Sequence, residues 1–575
     1  MNTKLSAQIQ LMLQYPLSEL PISFYKITGM KSADIWDVLL IYNGDIEDID
    51  IEITNLTILS ARYATCSVNK NRLEALAQHK VIEYITLPEV MQYISVQSEV
   101  CALNLDSPLS GYEVTGRGTY FGSIDTGVDY THPDFINPDG TSRILYLWDQ
   151  TIAGNSPEGF NIGTEFTNED INYALQTGNL LETKDALGHG TALASIAVGN
   201  SEQYKGIAPG ADLVVVKVGQ VGVNLMDPYR GPRNAEIMMA LKYVVEKARQ
   251  DNRPISILIG FGINEGGHNG SSLLEQYIDY LSSIWKVNMV VGTGNQANKD
   301  SHTAGEVKQG QTHTIGVFID SGQPYYFTSI WKNFIDDFGV SVVAPNGERT
   351  IMLTRDEVNS NTIIGNSIVS INFSQQGQIS NGEQILVFID TLFGNEIKDG
   401  NWKIELTGLF VLDGKYNAWG EALEQVTRSI RFINPVISNT LTIPATSSLV
   451  TSVAATNGFQ VASFSGRGFQ TTNSIKPDIS APGVDITAAY ADKMYQKITG
   501  TSAAAAFVAG AYLLLFEYGI NEGGDNYLYG DALKAYLLRT AKRRFGVTFP
   551  SIEWGYGELC VKNTLEALSR LYKLR

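Results

Sequence analysis

Four short segments carry residue types that together could break a peptide bond. GSIDTGVDYTHPDF places Asp125 after the apolar run TYFGSI, and LGHGTALASIAVG sets His189 between Gly188 and Gly190. TGTSAAAAFVAGAYLLL sets Ser502 ahead of a long apolar stretch, and VVGTGNQAN places Asn295 after the apolar run VNMVVG. Acyl transfer near neutral pH needs a nucleophile, a base to take its proton, an acid residue to orient the base, and donors for the developing oxyanion. A hydroxyl, an imidazole, a carboxylate and an amide supply one of each. Taken singly, each has an ordinary structural use. Aspartate at a strand end and Asn after Gly are turn residues, Ser before an apolar helix is an N-cap, and one His among six can simply cap or pack. Only their conjunction points to chemistry.

The surrounding pattern supplies elements able to position these groups. Near-continuous apolar strands such as LVVVKV and ISILIGF alternate with amphipathic helices such as EIMMALKYVVEKARQ, which predicts an α/β fold: a parallel sheet covered on both faces. Asp125 then falls at the carboxyl edge of a strand, where sites in such sheets form. His189 and Ser502 fall at helix starts, Gly188 and Gly190 giving the backbone freedom to aim the ring. The positive helix end at Ser502 favours an oxyanion. Residues 1–97 read as a separate small α/β unit, with strands VLLIYNG (38–44) and YATCSV (63–68), a helix NRLEALAQH (71–79) and a returning strand VIEYITLP. It ends in the extended stretch YISVQSEV (93–100). Over 307–439 the helical period vanishes. THTIGVFID, GVSVVAP, NSIVSINFS, EQILVFID, NWKIELTGLFVLDG and SIRFINP alternate between turn residues, which predicts an inserted antiparallel β-sandwich. The α/β pattern resumes with SLVTSVAATN. The expected organisation is therefore 1–97, a core built from 98–306 and 440–575, and an insertion at 307–439.

Composition narrows the function classes. Of 575 residues 44% are hydrophobic and 18% charged, the make-up of an ordered globular chain. The excess of 60 acidic over 42 basic residues, a net charge of −18, argues against nucleic acid or an anionic membrane as partner. Three scattered cysteines, Cys66, Cys101 and Cys560, exclude a disulfide scaffold, and His79, His132, His268, His302 and His313 share no zinc-type spacing. No metal or other cofactor is implied. The start, MNTKLSAQIQLMLQYPLSEL, lacks the apolar core and small-residue cleavage site of a secretory signal, and no apolar run is expected to span a membrane.

The motifs D-T-G, H-G-T and G-T-S-x-A, in the order Asp, His, Ser, resemble those of the subtilisin-like serine proteases, whose order of triad residues is known. That resemblance implies Ser502 as nucleophile, His189 as general base and later acid, and Asp125 as the orienting carboxylate. It also implies an oxyanion hole formed by the Asn295 amide and the Ser502 backbone N–H. By the same resemblance ISILIGFGIN (255–264) is the strand that pairs with the substrate backbone, with Gly260, Phe261 and Gly262 lining the cleft. Three positions depart from the common pattern: Ala506 and Phe507 stand where many subtilisins have Pro and His, and Gln296 where they have Glu.

The first 97 residues resemble subtilisin prosegments, which assist folding and inhibit by threading an extended tail through the cleft. Such a tail implies self-cleavage between Gln97 and Ser98. The prosegment, the GTGNQANKDSHTAGEV segment and the β-rich insertion together resemble the Csp proteases of clostridial spores. That family implies a jelly-roll insertion clamping the core, a prosegment that can stay bound after cleavage, a location at the spore cortex or coat, and activation of a pro-form of a spore-cortex-lytic hydrolase during germination. Two other readings stand beside it: a general intracellular subtilisin, and a pseudoprotease that binds a partner through the same cleft. Retention of Asp125, His189, Ser502 and Asn295 argues against the last.

Overall fold

The computed structural model describes residues 4–14, 34–46, 49–93, 113–220, 231–356, 359–374, 382–391, 396–420, 430–469, 475–523 and 525–574. Its centre is an eight-stranded sheet in the order Ile479–Pro482, Thr451–Thr456, Val287–Gly292, Ile255–Ile259, Tyr120–Asp125, Asp212–Lys217, Ile144–Asp149, Thr164–Thr167. Seven strands run parallel, and Thr164–Thr167 closes one edge antiparallel to Ile144–Asp149. Tyr120–Asp125, Ile255–Ile259 and Val287–Gly292 are buried at every residue, as strands covered on both faces must be.

One cover is formed by the helices His189–Val198 and Thr501–Phe516, the other by Asn234–Gln250 and Leu273–Ile284. All 16 residues of Thr501–Phe516 are buried. A side chain at Gly510 would place its Cβ 2.8 Å from the Ala197 carbonyl, so this glycine lets the two helices of the first cover meet. Continued through the turn at Glu517–Glu522, the helix reaches 22 residues and is long and apolar enough to cross a membrane. This corrects the sequence expectation that no such run exists. The protein itself covers 94% of the helix's most apolar stretch, which marks it as the core helix.

The insertion is a two-sheet antiparallel sandwich. One sheet orders His302–Glu306, Lys415–Gly420, Tyr325–Asn333, Gly382–Thr391, Ser367–Phe373 and Asn359–Ile364. The other orders Asp337–Val343, Gly400–Phe410, Thr312–Ile319 and Ile430–Phe432. His302–Glu306, which the sequence assigns to the core, pairs with Lys415–Gly420 and so belongs to the sandwich. The strand Tyr325–Asn333 escapes sequence reading because it is buried on both faces and does not alternate. Tyr326 and Ile330 enter the sandwich core, while Tyr325 and Phe327 project the other way.

The N-terminal unit carries a four-stranded antiparallel sheet in the order Ile53–Ile58, Tyr63–Asn69, Ile35–Tyr42, Ile82–Thr86, with the helices Ala7–Gln14 and Leu73–Gln78. The Asn69 side chain accepts from the Asn71 N–H and caps the turn that leads into Leu73–Gln78. Strand Ile35–Tyr42 is divided between two cores. Leu39 and Ile41 join Met238, Tyr243 and Tyr277 of the catalytic core's helices, whereas Trp36, Val38 and Leu40 pack with Ile9 and Met12. Tyr325, Phe327, Leu386 and Phe388 of the insertion complete that second cluster, so the N-terminal unit shares apolar cores with both of its neighbours.

Candidate active site

Asp125 ends its strand at the carboxyl edge of the sheet, and its carboxylate receives the Thr126 N–H at 2.7 Å. His189 opens a helix whose N-cap, Gly188, has φ 70°, and a Cβ there would lie 2.6 Å from the Tyr490 ring. Gly190 serves otherwise than expected. Its φ is not left-handed; a Cβ would lie 2.1 Å from the Gly127 carbonyl and 3.0 Å from Asp125 Oδ1, so close approach rather than freedom demands glycine. The structure brings the three predicted residues together. His189 Nδ1 lies 2.8 and 3.0 Å from the Asp125 carboxylate oxygens, and Nε2 lies 3.1 Å from Ser502 Oγ. Nδ1–H donating to Asp125 leaves the Nε2 lone pair facing the hydroxyl, the tautomer in which an imidazole can take a hydroxyl proton.

Asn295 is fully buried after strand Val287–Gly292. Its Oδ1 accepts the Thr501 N–H at 3.1 Å, while Thr501 Oγ1 accepts the Gly294 N–H at 3.1 Å. These two bonds tie the Asn295 loop to the helix start that carries Ser502. The Asn295 Nδ2 donor has no partner among the described residues. A buried donor left empty costs about 1–3 kcal/mol, so its persistence beside a nucleophile suits a donor held for an oxygen that arrives during reaction.

Of the three cleft residues expected from sequence, two pair and one packs. Phe261 and Gly262 pair antiparallel with Tyr93 and Gln92 at the end of the N-terminal unit. Gly260 instead lies under the triad: a Cβ would fall 1.7 Å from Asp125 Oδ2 and 3.4 Å from His189 Cε1. Residues 89–93 are held from the other side as well. Met91 N–H donates to the Pro232 carbonyl at 2.7 Å, Asn234 N–H donates to the Glu89 carbonyl at 2.8 Å, and Val90 bridges Arg233. A Cβ on Gly231 would lie 2.3 Å from the Met91 carbonyl. The tail is thus an added strand between two walls, the position a substrate backbone would take. The predicted cleavage residues Gln97 and Ser98 lie outside the described residues.

Sequence reading missed this second wall, although Gly231-Pro232 just ahead of a helix is a turn signal that could have marked it. It also missed Asp185. Asp185 Oδ1 accepts from Thr126 Oγ1 and Gly188 N, and Oδ2 accepts from the N–H and Oγ1 of Thr191, all at 2.7–2.9 Å. Burial pushes its carboxyl above the ordinary range, while the hydrogen bonds from Thr191 and Thr126 oppose that by favouring the charged form. The signal available was an Asp four residues before the histidine, inside the turn that aims it.

His132 packs edge to face with Tyr495 and accepts the Asp134 N–H, and His268 and His302 both stack on Trp419. Among the described residues no group of three His, Cys, Asp or Glu is placed to hold a metal ion. Cys66 and Cys560 are free thiols, and burial pushes Cys66 up to about 12.

Comparisons with known proteins identify the family and the fold. Residues 116–379 and 433–557 match the subtilase family, and residues 3–89 match the Csp protease B prodomain. The solved CspB protease of Clostridium perfringens is 32% identical, with a TM-score of 0.74 over 81% of this chain and 96% of that one. Among curated relatives, the PIII-type proteinase of Lactococcus lactis subsp. cremoris is 21% identical over 86% of this chain, and the chain spans 27% of its length. The C5a peptidase of Streptococcus pyogenes is 44% identical over 59 residues, 10% of this chain and 5% of that protein. The chain belongs to the subtilase family and carries its serine-peptidase domain behind a Csp-type prosegment.

Proposed function

We propose that this protein is a serine endopeptidase that first cuts its own chain between Gln97 and Ser98 and then activates a protein zymogen, a pro-form of a spore-cortex-lytic hydrolase. The observation that carries the first half is the docking of residues 89–93 as a strand between Phe261–Gly262 and residues 231–234, on the approach to His189 and Ser502. Ser502 Oγ attacks the scissile carbonyl as His189 Nε2 takes its proton, and Asp125 holds the imidazolium that forms. The tetrahedral oxyanion takes hydrogen bonds from the Ser502 N–H and from the otherwise empty Nδ2 of Asn295. Collapse returns the proton from His189 to the leaving amine, and water releases the acyl group by the same steps in reverse order.

The zymogen substrate and a spore location rest on the resemblance to Csp proteases, supported by the prodomain match and the 32% identity to the CspB protease. Mass spectrometry of the purified chain tests the first half. Wild type should show a new N-terminus at Ser98, with the Ser502→Ala chain intact; an uncut wild type refutes self-processing. Incubation with the cortex-lytic zymogen and with unfolded casein tests the second. One discrete cut in the zymogen is expected, and broad digestion of casein without it would favour a general intracellular protease.

A further inference from the structure

Away from the triad, the N-terminal unit, the catalytic core and the inserted sandwich meet around a cavity of about 140 Å³. Each of the three contributes side chains: Gln8 and Glu89 from the first, Asn234 and Glu265 from the second, Trp331 and Gln384 from the third. Glu265 is 4% exposed: Oε1 accepts from Gln8 Nε2 at 3.0 Å, the Gln384 amide also bears on the carboxylate, and Oε2 has no hydrogen-bond partner of ordinary geometry among the described residues. Among the described residues the Glu89 carboxylate meets only a long contact from Asn234 Nδ2, at 3.5 Å. Glu275, the third carboxylate nearby, is by contrast fully engaged by Ser272 and Thr446. Burial, and for Glu89 the neighbouring charges of Glu265 and Glu275, push both cavity carboxyls upward, Glu265 up to about 7. That is the state of two acids facing a space from which a positive charge is missing.

We propose that this cavity binds a small organic cation, a primary amine of roughly six to eight non-hydrogen atoms, the size class a cavity of this volume accepts. Three features select the class. Its lining contains two carboxylates and no Lys, Arg or His, so a cation fits and a zwitterion would leave its own carboxylate unmatched. Trp331 gives an aromatic wall on which an ammonium or its methylene groups can rest. No third ligating side chain completes a metal site there. An ammonium donates three hydrogen bonds, enough for Glu265 Oε2, Glu89 and one amide oxygen. Because the lining is shared by all three parts, an occupied cavity fastens the prosegment to both the core and the insertion.

The test uses the full-length Ser502→Ala chain, so that binding is read without any cleavage. Pentylamine, hexylamine and 1,4-diaminobutane are titrated against thermal stability and tryptophan fluorescence, with pentanol, glycine and calcium chloride as neutral, zwitterionic and metal controls. At least one amine should raise Tm by a few degrees in a saturable way and change the fluorescence, the controls should do neither, and Trp331→Phe should abolish the fluorescence change. Glu265→Gln and, independently, Glu89→Gln should weaken that amine at least tenfold; the second variant serves if the first fails to fold. Failure of every amine, unchanged binding in both variants, or an equal shift with calcium would overturn the proposal.

Discussion

The Asp185 carboxylate and the Asn295 amide are both buried beside the triad, yet one is saturated with hydrogen bonds and the other is left half empty. Asp185 takes four donors and holds the turn between Thr126 and Thr191. Asn295 engages its oxygen and leaves its nitrogen without a partner. The first arrangement uses polar groups for shape; the second leaves one open for the oxyanion role proposed above. Stability should therefore be sensitive at Asp185 and activity at Asn295.

The variants that probe this contrast run from large effects to small. Ser502→Ala sets the floor, with kcat on a peptide substrate expected to fall on the order of 10⁶-fold while thermal unfolding barely moves. Asn295→Ala should lower kcat roughly 10²–10³-fold, and Tm should show a stability change within about 1 kcal/mol, since a lost acceptor for Thr501 is offset by removal of an orphaned donor. Gly260→Ala should cost about 10² in kcat by pushing Asp125 off His189, a loss that steady-state kinetics would register without a matching rise in KM. Asp185→Ala reverses the pattern. Four donors lose their acceptor, and denaturant unfolding should report a loss of about 2–4 kcal/mol. If Asp185→Ala left stability intact and Asn295→Ala unfolded the protein, the division of roles would fail. Smallest is Asp37→Asn, which breaks an ion pair at 2.9 Å between the prosegment and Arg233 but leaves Arg233 paired to Glu236. If the prosegment is cut as proposed, its dissociation should quicken by less than about tenfold, as read by size-exclusion chromatography.

The candidate residues were legible because each borders a run of apolar residues, Asp125 and Asn295 after one and His189 and Ser502 ahead of one, and the borders of such runs locate sheet edges and helix starts. Asp125, His189, Ser502 and Asn295 all follow that rule, and so do the parallel sheet and the inserted sandwich. What stayed hidden depends on surfaces meeting in space. Gly260 was expected in the substrate strand, yet its side-chain direction is taken by Asp125, and no spacing along the chain reports that 1.7 Å approach. Tyr325–Asn333 looked irregular because Tyr325 and Phe327 answer to the prosegment while Tyr326 and Ile330 answer to the sandwich. A strand with two masters loses the alternation by which strands are read. The same holds for His302–Glu306, whose short polar sequence acquires strand geometry only by pairing with Lys415–Gly420.

The helix Thr501–Phe516 has a consequence for how the enzyme ages and fails. Every residue from Thr501 to Phe516 is buried, and Thr501 is bonded to the loop of Asn295. Ser502 cannot fray away from His189 without opening the most protected element of the core, so the amides of the helix interior behind it, which are bonded within the helix, should exchange with solvent only through global unfolding. Catalytic inactivation on heating and loss of structure then follow one curve rather than two, and a half-melted molecule that still holds its fold would still hold its nucleophile in place.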